Sequence, residues 1–308
     1  VRKYLRTLAV SGALVALGVA ACGSPPPETE KKDDGSSKAA ESDFKACMVS
    51  DSGGFDDKSF NQTSYKGLQD AVKNLGIEQA SLESKSNNDY PTNINTMVNQ
   101  GCDVVVTVGF LLGDATYTAA KANPDVDFVI VDYAFDPEKQ PPLPNLKSLL
   151  FNTAEPSFMA GYLAAGMSKT GKVGTFGGAK IPTVEIFMDG YWEGVQYYNS
   201  QKNKKVQVLG WNAEKADGSF IKSDKPFEDK LEGQNVANNL ISQGADVIFP
   251  VAGPAGLGGL QAAKGSGGKV NAIWVDTDGC LSAASYCPIL LTSAVKGMDV
   301  AVETSIKA

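Results

Sequence analysis

Val49-Ser50-Asp51-Ser52-Gly53-Gly54-Phe55-Asp56-Asp57-Lys58-Ser59-Phe60-Asn61-Gln62 leaves an apolar run, turns on two glycines and enters a segment of helical periodicity. Read as local structure, it is a strand end, a sharp turn that Gly53 and Gly54 permit, and an acidic helix start. The acidic residues complement the positive end of the helix dipole, and Ser59 is available as the cap. The same strand, turn and helix order repeats along the chain. Short runs rich in Val, Ile and Phe predict strands over 44–50, 80–83, 104–108, 128–131, 146–151, 173–176, 206–209, 247–251, 272–275 and 289–292. Between them, apolar residues at helical spacing predict helices over 61–75, 89–99, 114–122, 157–167, 184–198, 228–243, 255–263 and from 293 onward.

Strands alternating with helices argue for an α/β fold with parallel sheets, and ten strands are too many for one small sheet. Two Rossmann-like lobes are expected, residues 44–152 forming the first, 153–285 mainly the second, and 286–308 returning towards the first. Gly171, between the 157–167 helix and the next strand, marks the crossing. In open α/β sheets ligands sit outside the carboxyl ends of the strands. That rule singles out Asp51 with Phe60 and Asn61, Gly109 with Phe110, Asp132, Gly177 with Gly178, Gly253, Asp276 with Asp278, and Lys296.

At 308 residues the chain is long enough for two domains with a core each. Its 35 acidic against 28 basic residues give a net charge of −7 without a long basic stripe, which disfavours sequence-independent nucleic-acid binding. Histidine is absent, which removes Ser-His-Asp and Cys-His nucleophile systems and His-containing zinc sites.

The amino-terminal stretch reads as an export signal: Arg2, Lys3 and Arg6, an uncharged apolar run over 8–21, then Cys22. That run is shorter than the roughly 20 residues needed to span a bilayer. Val19-Ala20-Ala21-Cys22 resembles a bacterial lipobox, which implies removal of residues 1–21 and lipidation of Cys22. Residues 22–43, rich in Pro, Ser, Lys and Glu, read as a flexible tether. Of the remaining cysteines, Cys47 and Cys102 each start a strand-like run, and Cys280 and Cys287 bracket a short loop. In an exported chain this favours the pairs Cys47–Cys102 and Cys280–Cys287, with buried free thiols as the alternative.

The 49–62 stretch resembles the signature of the basic membrane protein family, the nucleoside-binding lipoproteins of bacterial ABC transporters. Further segments agree in the same order: 104–110, 128–132, 157–161, 244–253, 275–278 and 291–296, so the resemblance runs from about residue 44 to the last residue. It implies a type I periplasmic-binding-protein fold with a hinge, closing on a purine nucleoside that is handed to an ABC permease. The expected location is the outer face of a bacterial cell membrane, with the chain held in the bilayer through Cys22. No cofactor, metal or catalysis is implied, and nothing in the sequence demands an oligomer.

By the same resemblance Phe60 and Phe187 stack on the base, while Asn61 and Asp132 bond its edge. Asp51, Gly253, Asp276 or Asp278, and Lys296 hold the ribose. The chemistry is coherent: a π face suits any purine, an ionised carboxylate accepts from ring N–H and from sugar hydroxyls, and an amide both donates and accepts.

A sugar or autoinducer receptor on the same frame is the alternative within the binding class, and a nucleosidase-like carboxylate pair is the alternative from another class. Asp56-Asp57 and Asp276-Thr277-Asp278 could also cup a metal ion, although neither has calcium-loop spacing. Lys264-Gly265-Ser266-Gly267-Gly268-Lys269-Val270 lacks the glycine spacing and the final Ser or Thr of a phosphate loop, so it reads as a turn. Two departures from the family pattern stand out: a long polar link over 212–224, and an end at Ala308 inside a helix where members usually continue through a further strand or two.

Overall fold

Ten strands in the expected places assemble into two parallel five-stranded sheets in the computed structural model, which describes residues 42–308. The chain runs β1 (Ser42–Ser50), α1 (Phe60–Leu75), β2 (Ile77–Glu83), α2 (Tyr90–Asn99), β3 (Val104–Val108), α3 (Gly113–Ala122), β4 (Asp127–Val131) and β5 (Leu146–Leu149). It continues through α4 (Ala154–Met167), β6 (Lys172–Gly177), α5 (Pro182–Lys202), β7 (Gln207–Leu209), β8 (Trp211–Asn212) and β9 (Asp217–Gly218). The last elements are α6 (Lys230–Ser242), β10 (Val247–Val251), α7 (Gly256–Gly265), β11 (Asn271–Asp276), α8 (Gly279–Ser282), β12 (Leu290–Val295) and α9 (Met298–Lys307). The expected signal, Cys22 and most of the tether lie outside the described residues; Ser42 and Asp43, expected in the tether, already belong to β1.

The first sheet has the order β2-β1-β3-β4-β5 and the second β12-β11-β10-β6-β7. Read from its other edge, the second repeats the first, so each lobe has the doubly wound order whose crevice opens between its first and third strands. Helices cover both faces of each sheet, which is why β3 and β10 are apolar without alternation and buried at every residue. In the first lobe Ala46, Met48, Val106 and Val131 face Leu68 and Ala71 of α1 with Val302 of α9. Cys47, Val49, Val105 and Ile130 face α2 and α3. Each fully buried Val, Leu or Ile contributes roughly 1.5–3 kcal/mol, so these two layers supply the main driving force. The second lobe repeats the arrangement with α4 and α5 on one face and α6 and α7 on the other.

Three expectations need correcting. The crossing expected at Gly171 lies earlier, between β5 and α4, because α4 already packs against α5 in the second lobe. The helix expected from residue 293 begins at Met298, because Thr292, Ser293, Ala294 and Val295 pair with β11 as the edge strand of the second sheet. The return towards the first lobe therefore starts after β12, not at residue 286, and only α9 makes it. That helix seats against α1 at Gly67, where a Cβ would stand 2.5 Å from the Asp299 carbonyl. The polar link over 212–224 carries a short pairing of its own: Trp211 and Asn212 pair antiparallel with Gly218 and Asp217, and Phe220 then bridges to Gly177.

Disulfides join Cys47 to Cys102, tying β1 to the turn ahead of its neighbour β3, and Cys280 in α8 to Cys287 in the loop that follows. Lys264 to Val270 closes α7 and turns into β11, with Ser266 Oγ accepting from the Lys269 and Val270 amides. No described helix is long and apolar enough to cross a membrane.

Candidate ligand-binding cleft

The carboxyl ends of both sheets converge on one cleft of about 610 Å³, its mouth included, within the range of small-molecule sites. On the first-lobe side, Asp51 extends β1 by one hydrogen bond, its amide donating to the Val108 carbonyl at 3.1 Å, and its carboxylate accepts from Asn61 Nδ2 at 2.7 Å. Gly109 makes room for it: a Cβ there would lie 2.5 Å from Asp51 Oδ2. The cap of α1 is Asp57, not Ser59. Its carboxylate accepts from the amides of Ser59, Asn61 and Gln62 at 2.9–3.0 Å, which satisfies three of the helix's free donors and presents Phe60 and Asn61 to the cleft. Ser59 Oγ instead reaches across the cleft and donates to Asp276 Oδ2 at 2.6 Å.

Asp132 and Asp276 end the topologically equivalent strands β4 and β11, and both have left-handed backbone, at φ 68° and 69°. That conformation is uncommon for a non-glycine residue and marks a position held by its surroundings. Lys296, just past β12, donates through its amide to the Asp276 carbonyl at 2.8 Å, while its ammonium forms a buried ion pair with Asp132. The same ammonium lies 5.1, 5.2 and 5.4 Å from the ring centres of Phe60, Phe151 and Phe187, within cation–π range of all three.

Burial dominates the electrostatics. It pushes the Asp51 carboxyl up to about 8, with Asp57 and Glu228 adding to the rise and the Asn61 amide opposing it. Asp276 is pushed up to about 6 by burial, opposed by Lys296 and the Ser59 hydroxyl. Asp132 and Asp57 also rise through burial, offset in part by Lys296 and by the α1 amides respectively. Asp132 and Asp276 thus share one buried ammonium while Asp51 and Asp57 add two more desolvated carboxyl groups, a site that lowers its electrostatic cost by gaining donors. Asn61 Oδ1 is buried and has no partner, so it too awaits a donor.

Of the nine residues expected to bind ligand, Asp51, Phe60, Asn61, Asp132, Phe187, Gly253, Asp276 and Lys296 line this cleft. Asp278 does not: its carboxylate accepts from the Cys280 amide at 2.8 Å as the cap of α8. Lys296, grouped with the sugar residues by resemblance, stands among the residues grouped with the base. The metal readings lose their ligands to other work, since Asp56 pairs with Lys58, Asp57 caps α1 and Asp278 caps α8. Among the described residues no group of three or more acidic or Cys side chains is placed to hold a metal ion.

Sequence reasoning missed Asp57, Thr183 and Phe227 as lining residues. Asp57 was visible as an acidic helix start but not as a cap. Phe227 had no periodic signal, because it is carried by the irregular segment between β9 and α6.

The family model for Bmp, the PnrA-like ABC transporter substrate-binding proteins, matches residues 44–308. The chain belongs to this family. A relative from Listeria innocua named "CD4+ T-cell-stimulating antigen" is 35% identical over 320 residues, covering 98% of this chain and 83% of that protein. The ABC transporter nucleoside-binding protein BmpA of Lactococcus lactis is 33% identical over 254 residues, covering 79% of this chain and 67% of the relative. Among solved structures, an ABC transporter solute-binding protein from Aeropyrum pernix K1 superposes with a TM-score of 0.74 at 28% identity, covering 86% of this chain and 70% of that one. This Bmp chain is accordingly a substrate-binding protein of an ABC transporter, which implies a ligand and a membrane permease as partners.

Proposed function

We propose that this protein captures purine nucleosides outside the cytoplasmic membrane, anchored there through lipid on Cys22, and presents them to its ABC permease without altering them. The observation that carries the reading is the convergence of Phe60, Phe187, Asn61, Asp132, Asp51 and Asp276 on one cleft rich in acceptors. A nucleoside suits such a cleft: its base offers a π face to Phe60 and Phe187, its ring edge and ribose offer N–H and O–H donors, and it carries no negative charge to repel the carboxylates. The name of the Lactococcus lactis relative points the same way. Closure is the signal in this scheme, because ligand held by both lobes favours the closed arrangement by its differential affinity for it.

The test is to unfold the purified protein and identify the released small molecules by mass spectrometry. A purine nucleoside is expected. Release of a sugar or another polar metabolite, with no nucleoside, would replace this reading by the alternative receptor. Cys22→Ala is expected to free the protein from membranes, and continued retention would remove the lipid anchor from the account.

A further inference from the structure

A second chamber adjoins the cleft. It is larger, about 840 Å³ with its mouth, and it shares Phe110, Asp132, Thr183 and Lys296 with the first as a common wall. It lies where the chain crosses between lobes, bounded by Leu150 and Phe151 after β5 and by Pro182 and Ile186 at the start of α5. The side chains beyond the wall are mostly apolar, and Leu150 at the mouth is 57% exposed. One polar group breaks that pattern: Thr153, which borders the chamber and is 2% exposed, has a buried hydroxyl without a partner.

Lys296 carries its ammonium on a flexible four-carbon stem and stands 5.1 Å from Phe60 in the first space and 5.2 Å from Phe151 in the second. Asp132, its partner, faces both spaces and only accepts when ionised. A secondary exocyclic amine satisfies this geometry: its single N–H donates to Asp132 while its substituent continues past Lys296 into the apolar chamber.

Building on the nucleoside reading, we infer that the second chamber is a subsite for an apolar substituent on the exocyclic amine of the bound purine. Base-alkylated and base-arylated nucleosides are then ligands alongside the plain ones. A doubly substituted amine lacks the N–H and is a poor ligand. Leu150, exposed and clear of both cores, is the place to close the chamber without touching the first site.

The experiment is calorimetric titration of ligand-stripped protein with two pairs, adenosine with N6-benzyladenosine and guanosine with N2-benzylguanosine, on the native chain and on Leu150→Asp and Leu150→Trp. In at least one pair the benzyl nucleoside is expected to bind the native protein at least as tightly as its parent. Both variants are expected to weaken that benzyl nucleoside by about tenfold or more while leaving the parent within about twofold, the scale of a lost apolar contact. The inference is overturned if both benzyl nucleosides bind the native protein more than about tenfold weaker than their parents, or if neither variant changes the difference. Failure of adenosine and guanosine alike to bind would instead remove the nucleoside reading, and this subsite with it.

Discussion

Asp132 and Asp276 stand at equivalent places in the two lobes, each at the end of the fourth strand of a repeated five-strand order and each with left-handed backbone. Each also receives its partner from the other side of the cleft. Asp132 of the first lobe is met by the ammonium of Lys296, which follows the last strand of the second sheet, and Asp276 of the second lobe is met by the hydroxyl of Ser59 ahead of α1. The two contacts are reciprocal in position and unequal in kind, one an ion pair and the other a hydrogen bond from a neutral group. The rest of each strand-end set differs in the same sense. The first lobe offers Asp51, Asn61 and Asp57 with the apolar surfaces of Phe60, Phe110 and Leu111, whereas the second offers Gly253, Thr183 and the apolar surfaces of Val184, Phe187 and Phe227. A duplicated frame has therefore been furnished unequally: both lobes bring an aromatic face and a buried acid, the first adds the Asn61 amide and the second the Lys296 ammonium.

Removing the charged contact should have the largest effect. Asp132→Ala strands the Lys296 ammonium in a buried site, and a loss of about 3–5 kcal/mol is expected from denaturant unfolding. The same change is expected to weaken guanosine or inosine by more than about tenfold. Unchanged affinity would take Asp132 out of the recognition set.

Asp51 sharpens the contrast through pH. Its carboxyl is held at about 8 in the folded protein against an ordinary 3.8, so the folded state holds a proton that the unfolded state has released between those values. Its contribution to stability is complete below about pH 4 and is lost as pH rises through about 8. Asp276, held at about 6, acts in the same direction over the lower part of that window. Asp51→Asn is expected to remove the decline that Asp51 adds between about pH 4 and 8, leaving a shallower fall below about pH 6, where Asp276 still contributes, and the variant more stable than the native protein above pH 8. Parallel profiles for the two proteins would contradict this.

Ser59→Ala removes the neutral contact. It is expected to destabilise by about 1–3 kcal/mol, less than Asp132→Ala, because it leaves an acceptor unpaired but no isolated ammonium. An equal or larger loss would reverse the inequality between the two contacts. Asp278→Ala should be smallest, about 1 kcal/mol for a lost helix cap, with nucleoside affinity unchanged. A clear loss of affinity would return Asp278 to the binding set.

Much of this was legible in the residues because strand ends in α/β folds point to one crevice, so an acid, amide or glycine just after an apolar run is already placed. Asp51, Asp132 and Gly253 needed no more than that. Asp276 and Asp278 could not be separated on the same ground, since both stand at the end of the apolar run of β11 and only the need of α8 for a cap decides between them. Leu290–Val295 was split between strand and helix because Ser293 and Ala294 suit either, and pairing with β11 is a tertiary effect that local periodicity does not carry. Ser59 and Asp57 exchanged the capping role for a similar reason: the Ser59 hydroxyl has a distant partner, Asp276, that no spacing rule reveals. The second chamber was not legible because it is closed by Pro182, Thr183 and Ile186 at the start of α5, and no spacing rule sets that helix against the strand ends of the first lobe.

On the function proposed above, a cleft rich in acceptors between the two lobes holds a purine nucleoside unchanged. This is tested most directly by calorimetric titration of ligand-stripped protein with guanosine, inosine, adenosine, cytidine, ribose and guanine, with each mixture assayed for free base and ribose after overnight incubation. The account requires purine nucleosides to bind more tightly than cytidine, ribose or guanine, with no base released. Silence across the nucleosides, or their hydrolysis to base and ribose, would contradict it.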